Sequence, residues 1–363
     1  MIYRMDKRYW LAFSNCQGIG PVRFQKLIRT FGSAKNAWEA PLSDLARSGI
    51  GQKMAEDVVH FRNTFSVDAY EERLQKLHVS YHTLEEASYP ELLKQSNNPP
   101  FVLYTKGDTT SYATNSIIAV VGSRKITTYG TQVTELLVKD LVAAGCVIVS
   151  GLAMGVDAIA HASTLAAGGK TIAVLGSGVD YCTPRENVDL YDQILANGGA
   201  IISEAPLGQM PNKGSFPSRN RIIAGMSQGV LVTEGAQDSG SLITAHDAFA
   251  NNRYVFAVPG PITSSVSQGP LSLIGKGATL VTTAKDILDV LQIRSTNLSK
   301  SKHRKGDSKE EQSIIDLLQG ENLAFDELVR RTHMDSSQMG VLLSLLEMKG
   351  IIQEVEAGFF SLR

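Results

Sequence analysis

The sequence predicts an α/β protein: a doubly wound, mostly parallel Rossmann-like sheet, flanked by an N-terminal all-α helix-hairpin-helix (SAM-like) piece and a C-terminal winged helix. Three observations predict it. Short β-branched runs alternate with helical patterns through the middle of the chain, a Gly-Ile-Gly turn followed by an amphipathic helix occurs twice near the start, and the last stretch reads helix, helix, helix, hairpin.

At the N-terminus, "QGIGPVRFQKLIRTFG" and "SGIGQKMAEDVVHFR" are two copies of one pattern. In a helix-hairpin-helix element the glycines let backbone amides approach a nucleic-acid phosphate, and the following helix N-terminus favours the anion. The same hairpin serves elsewhere only for packing or protein contact, and both uses stay open. The net charge of +5 over residues 1–65 leans toward the first.

In the middle, "FVLY", "IIAVV", "CVIVS", "TIAVL", "AIIS", "GVLVT", "YVFAV" and "TLV" read as strands, separated mostly by helical patterns such as "GTQVTELLVKDLVAAG" and "LITAHDAFANN". Strand and helix in turn make a parallel sheet, with ligands at the carboxyl ends of the strands. The loops at those ends are small and polar: "GSRK" (122–125), "SGLAMG" (150–155), "GSGVDYCTP" (176–184) and "EGAQDSGS" (234–241). Gly and Ser between a strand and a helix leave amides free to cradle phosphate oxygens.

Nucleotide and catalytic motifs are missing from the same loops. "GSGVDY" has only the first two glycines of GxGxxG and runs into "CTP", and "TLAAGGKT" has Thr164 where a P-loop needs glycine. Asp157 and His161, four apart on one helix, could act as base and orienter or form a structural hydrogen bond. No nucleophile elbow, metal cluster or carboxylate pair is visible, so the expectation is no enzyme, no cofactor and no metal.

The C-terminal piece would place its third helix in a duplex major groove if it read DNA. That helix, "SSQMGVLLSLLEMK", offers Lys349 as its only cation and residues 310–363 carry a net −6, which favours protein contact. Ahead of it, "IRSTNLSKSKHRKGDS" is polar, aperiodic and +5 over residues 292–309, a flexible basic linker. The expected organisation is therefore a helical domain at 1–65, a sheet domain at 66–291, the linker at 292–309 and the winged helix at 310–363.

Composition bounds the rest. The 363 residues, 43% hydrophobic and 20% charged, suffice for two or three domains with real cores. Cys16, Cys146 and Cys182 are scattered without CxxC spacing, which suits a reducing compartment. The first residues lack a secretory apolar region and no apolar run approaches about 18 residues, so the expected location is the cytoplasm, with no membrane partner.

One segment raises a sharper question. "KGSFPSRNRIIAG" (213–225) sets Lys213, Phe216, Arg219 and Arg221 around a proline. An ion-paired surface loop, an anion pocket and a stacking platform for a nucleic-acid strand would each use these residues. Asn220, Ile222, Ile223 and Gly225 look built to start and pack a helix.

"GSR", "SGLAMGVDAIAH", "AVLGSGVD", "GAIISEAPLG", "FPSRNRIIAG", "TEGAQDSGSLITAHDA" and "VFAVPGP", in that order and spacing, resemble the DNA-processing protein A (DprA/Smf) family of bacteria. The resemblance is dense over residues 90–291, and the flanking pieces are similar to terminal domains of many members. One departure is "DYCTPREN", where Thr183 stands before Pro184 in place of the usual Tyr. The resemblance implies a non-catalytic single-stranded DNA binder, acting as a homodimer through the Rossmann-like domain. It would protect incoming DNA in natural transformation and load the RecA recombinase. By similarity, Arg124, Lys213, Phe216, Arg219 and Arg221 fall where the family contacts the strand. With the small polar loops the candidate DNA-binding set is Gly122, Ser123, Arg124, Lys213, Phe216, Arg219, Asn220, Arg221, Ser239, Gly240 and Ser241. The competing class is a nucleotide phosphoribohydrolase of a related Rossmann branch, whose signature PGGxGTxxE reads "EGAQDSGSLITA" here, without the paired glycines or the acid.

Overall fold

In the computed structural model the described residues are 2–110, 116–212, 214–293, 306–318 and 321–362. Lys213 and most of the linker, 294–305, lie outside them.

Every apolar run read as a strand is one. The strands are β1 (Val79–Thr83), β2 (Val102–Gly107), β3 (Ile117–Val121), β4 (Val147–Ser150), β5 (Thr171–Val174), β6 (Ala200–Ser203), β7 (Gly229–Val232), β8 (Tyr254–Ala257) and β9 (Thr279–Leu280). They form one sheet in the order β1-β2-β6-β5-β4-β3-β7-β8-β9. β3 to β9 are parallel, and β2 and β1 add an antiparallel hairpin beside β6. The strand missed in the sequence is β1, "VSYHT", whose polar edge positions hide the alternation.

Helices cover both faces of the sheet, which is why β3 to β7 read as continuous apolar runs. Ile117, Ala119 and Val121 pack with Ile222, Ile223, Ala245 and Ala248 on one face. Ile118 and Val120 pack with Leu137, Leu141 and Ile287 on the other. β3 lies between β4 and β7, so the connections leave it in opposite directions and their loops part above it. This is the topological switch point, where open α/β sheets bind ligands.

The N-terminal helices share a core with the sheet. Phe24, on the helix Pro21–Phe31, stacks on Phe101 at 4.0 Å between centroids and meets Trp10 edge-on at 4.6 Å. Packing is thus continuous across residue 65, and Met1–Asn297 forms one compact unit. In the first Gly-Ile-Gly turn Gly18 has φ +91°, and a Cβ there would land on Met54 of the second copy's helix. The two turns therefore pack against each other.

The second unit has its own core of Ile314, Ile315, Leu318, Leu328, Met339, Leu343, Leu346 and Ile352. Three helices, Lys309–Leu318, Phe325–Thr332 and Ser336–Met348, pack with β10 (Leu323–Ala324), β11 (Ile352–Glu356) and β12 (Phe359–Leu362), a winged helix. Its third helix leaves Val341, Leu345 and Met348 exposed, and Lys349 bonds Asp307 and Glu311 at 2.8 and 2.7 Å.

Candidate nucleic-acid interface

The loop after β3 is pinned to the end of β7 by one residue. Glu234 is 3% exposed, and its backbone oxygen accepts from Ser123 N at 2.7 Å. Its carboxylate accepts from Thr127 N and Oγ1 at 2.9 and 2.5 Å. Thr127 in turn caps the helix Thr128–Ala143 by accepting from Gly130 N. The loop is thereby fixed at both ends, and its tip, Arg124 and Lys125, projects into solvent. The Ser123 hydroxyl turns back to its own loop and accepts from Lys125 N at 3.0 Å.

"FPSRNRIIAG" is helical from its start, in the helix Ser215–Met226, and so begins five residues ahead of Asn220. Pro217 is tolerated there because first-turn amides have no intrahelical acceptor. This sets aside the surface-loop alternative, moves the helix start ahead of Asn220, and divides the segment's cations. Arg219 points inward and is 5% exposed; its guanidinium donates to Gly151 O and, at 2.5 Å, to Val174 O, the carboxyl ends of β4 and β5. Its Nε donates to Asn220 Oδ1, and Asn220 Nδ2 donates to Gly240 O at 3.2 Å. Arg221 is ion-paired with Glu204 and donates to Asn98 O at 2.8 Å. Both cations of "RNR" are thus committed within the chain.

Asp157 and His161 do not pair, which corrects both alternatives, the base with its orienter and the structural hydrogen bond between them. Asp157 accepts from Gly151 N and Ala153 N at 3.2 and 3.3 Å, and burial pushes its carboxyl up against the opposing charge of Arg219. His161 Nδ1 meets Thr171 Oγ1 at 2.7 Å; because that hydroxyl donates to Ile148 O, the imidazole is the donor. Burial, reinforced by Arg219, pushes His161 down to about 3, so it is neutral. Burial also lowers Arg219 from its ordinary value, with Asp157 opposing.

On the other side of the switch point, Ser239 caps the helix Gly240–Ala250 and accepts from Ser241 N at 3.3 Å. Between this N-terminus and the Arg124 loop lies a hollow of about 550 Å³. Gly122, Ser123, Arg124, Phe216, Arg219, Asn220, Ser239, Gly240 and Ser241 all reach it, and so does Lys125, which the sequence reading left out. Arg221 belongs instead to a cleft of about 860 Å³ beside the first Gly-Ile-Gly turn. At the rim of the hollow the Arg124 guanidinium sits 5.3 Å from the centre of the half-buried Phe216 ring.

Amides and cations surround a switch-point hollow with an aromatic ring at its rim, on a sheet of the Rossmann type. A family model described as DNA recombination-mediator protein A matches residues 80–292, a DprA-like N-terminal HHH domain matches 4–57, and a DprA winged helix domain matches 300–358. Protein Smf of Synechocystis is 40% identical over 287 residues, covering 78% of this chain and 72% of its own. DNA processing protein DprA of Bacillus subtilis is 44% identical over 207 residues, 57% of this chain and 69% of its own. The crystal structure of DprA from Streptococcus pneumoniae superposes with a TM-score of 0.68 at 34% identity, covering 78% of this chain and 97% of the other. A solved structure of DNA processing protein A from Helicobacter pylori, described by its single-stranded DNA binding mode, gives 0.53 at 33%, covering 59% and 97%. The chain belongs to the DNA recombination-mediator protein A (DprA) family.

Proposed function

We propose that the switch-point hollow binds single-stranded DNA, and that the protein acts as a homodimeric, non-catalytic recombination mediator that protects incoming strands and passes them to a RecA-type recombinase. The observation that carries the DNA reading is the Arg124–Phe216 pair at the rim. An exposed cation–π contact contributes about 0.5–1 kcal/mol, a base stacked on the ring about 1–3 kcal/mol. An arriving base therefore displaces the guanidinium from the ring, and the freed Arg124 joins Lys125 and the Ser239–Ser241 amides on phosphate oxygens. Among the described residues the only acid lining the hollow is Asp157, already held by two amides, which disfavours a hydrolase. The DNA mode of the Helicobacter relative and the family's description support the reading.

Fluorescence anisotropy with a labelled single strand tests it. Phe216→Ala weakens binding by about 1–3 kcal/mol with the salt dependence unchanged, because no phosphate contact goes; unchanged affinity would remove the platform. Release of free base from nucleoside monophosphates would establish the hydrolase instead. Loading of RecA on strands covered by single-strand binding protein tests the mediator role, and light scattering of the purified chain tests the dimer.

A further inference from the structure

A second hollow, of about 140 Å³, adjoins the first and shares Arg124, Ala153, Phe216 and Arg219 with it. Gly151, Met154, Leu175, Gly176, Thr183 and Pro184 complete its wall, and no acid is among its lining residues. Around the shared guanidiniums and phenyl ring the larger adds Lys125 and the Ser239–Ser241 helix start, whereas the smaller adds Pro184, Leu175 and Met154.

Size narrows the occupant. A volume of 140 Å³ falls below the roughly 300–1,000 Å³ of pockets that hold whole drug-sized ligands, yet exceeds several times the ≈30 Å³ share of one water. One planar ring system fits, without its sugar and phosphate. The walls suit a π-face: Met154 is 44% exposed beside Phe216, and thioether sulfur against an aromatic ring is itself favourable. The hollow is also pre-formed, since Arg219 ties the backbone after β4 and β5 at Gly151 O and Val174 O. At Gly155, with φ +76°, a Cβ would meet Ser123 O, so the Met154 loop lies directly against the Arg124 loop.

Resting on the single-stranded DNA reading above, we propose that this smaller hollow is a nucleobase subsite: one base of the bound strand enters it and is clamped between Phe216 and Met154 while its phosphates lie in the larger hollow. Recognition is by the π-face, so the subsite accepts any base and rejects a strand without one. Thr183, whose hydroxyl has no partner among the described residues, faces the base edge.

The test uses the full chain and two labelled 20-mers of equal phosphate count, dT20 and an abasic tetrahydrofuran strand. The wild-type chain binds dT20 more tightly. Met154→Ala weakens dT20 about five- to tenfold, leaves the abasic strand unchanged and keeps the same salt slope. As a second readout, 2-aminopurine within an oligonucleotide is quenched on binding the wild type and recovers fluorescence in Met154→Ala. Unchanged dT20 affinity, or equal weakening of both strands, overturns the subsite. Failure of the wild type to bind either strand overturns the DNA reading on which it rests, and with it the subsite.

Discussion

The rim and the floor of the switch-point cleft draw on the same residue types to opposite ends. At the rim Arg124 and Lys125 are exposed, and among the described residues neither has an ion-pair partner. In the floor Arg219, Asp157 and His161 are buried, and their bonds run to backbone atoms and to the side chains of Asn220 and Thr171. A cation serves a ligand only where the chain has not already supplied its acceptors. The floor instead fixes where the rim's side chains stand, since Arg219 joins the first turns of the Phe216 helix to the ends of two strands.

The strongest way to break this contrast is Arg219→Ala. It leaves two carbonyls without donors and Asp157 without its compensating charge, and removal of one partner from a buried charged cluster costs about 3–5 kcal/mol. Urea unfolding followed by circular dichroism measures the loss. An exposed, ligand-facing arginine would leave unfolding within about 0.5 kcal/mol and lower the salt slope instead.

His161 sharpens the contrast through pH. Its folded value is depressed from the ordinary 6.5 to about 3, so the neutral form is held in the fold while the unfolded chain takes up a proton. Its contribution is therefore full above pH 6.5 and is lost progressively as pH falls toward 3. Between pH 7 and pH 5 this amounts to about 2 kcal/mol. His161→Gln should flatten that part of the stability curve; an unaltered curve would mean that the imidazole takes up its proton equally in the folded and the unfolded chain.

At the rim the effects are smaller and of another kind. Arg124→Ala and Lys125→Ala each reduce the slope of log affinity against log salt by about 0.7, with no change in unfolding. An unaltered slope would assign these residues to the structure. The smallest effect is expected from deleting residues 292–363. The winged helix resembles the floor in having three of its described cations committed: Lys349 to Asp307 and Glu311, Arg330 to Glu327, and Arg331 to Glu327 and Glu321. A modest loss of single-strand affinity that disappears with salt fits screening of the +5 linker over about 8 Å. A collapse that persists at high salt, in a folded fragment, would put a direct DNA contact in the deleted part.

The sheet was legible because strands buried on both faces are written as β-branched runs, and its ligand edge because Gly and Ser stand at strand ends. The fate of Arg219 was not. Its burial depends on Gly151, where a Cβ would sit on the guanidinium, and on carbonyls of β4 and β5 about 45 and 70 residues away, which no local pattern reveals. Glu234 escaped notice for the same reason, since its partner Thr127 is 107 residues distant. Met154 read as one more small-loop residue until the fold set it beside Phe216.

The stacking of Phe24 on Phe101 bears on how such a protein is dissected. A gene fragment encoding the sheet alone would expose Phe101, Val102 and Tyr104, which the N-terminal helices now cover. Those helices therefore complete the core on that side of the sheet. The winged helix closes around a core of its own. Trimming the chain at residue 65 would yield an adhesive fragment, whose binding curves would record self-association before they recorded anything about DNA.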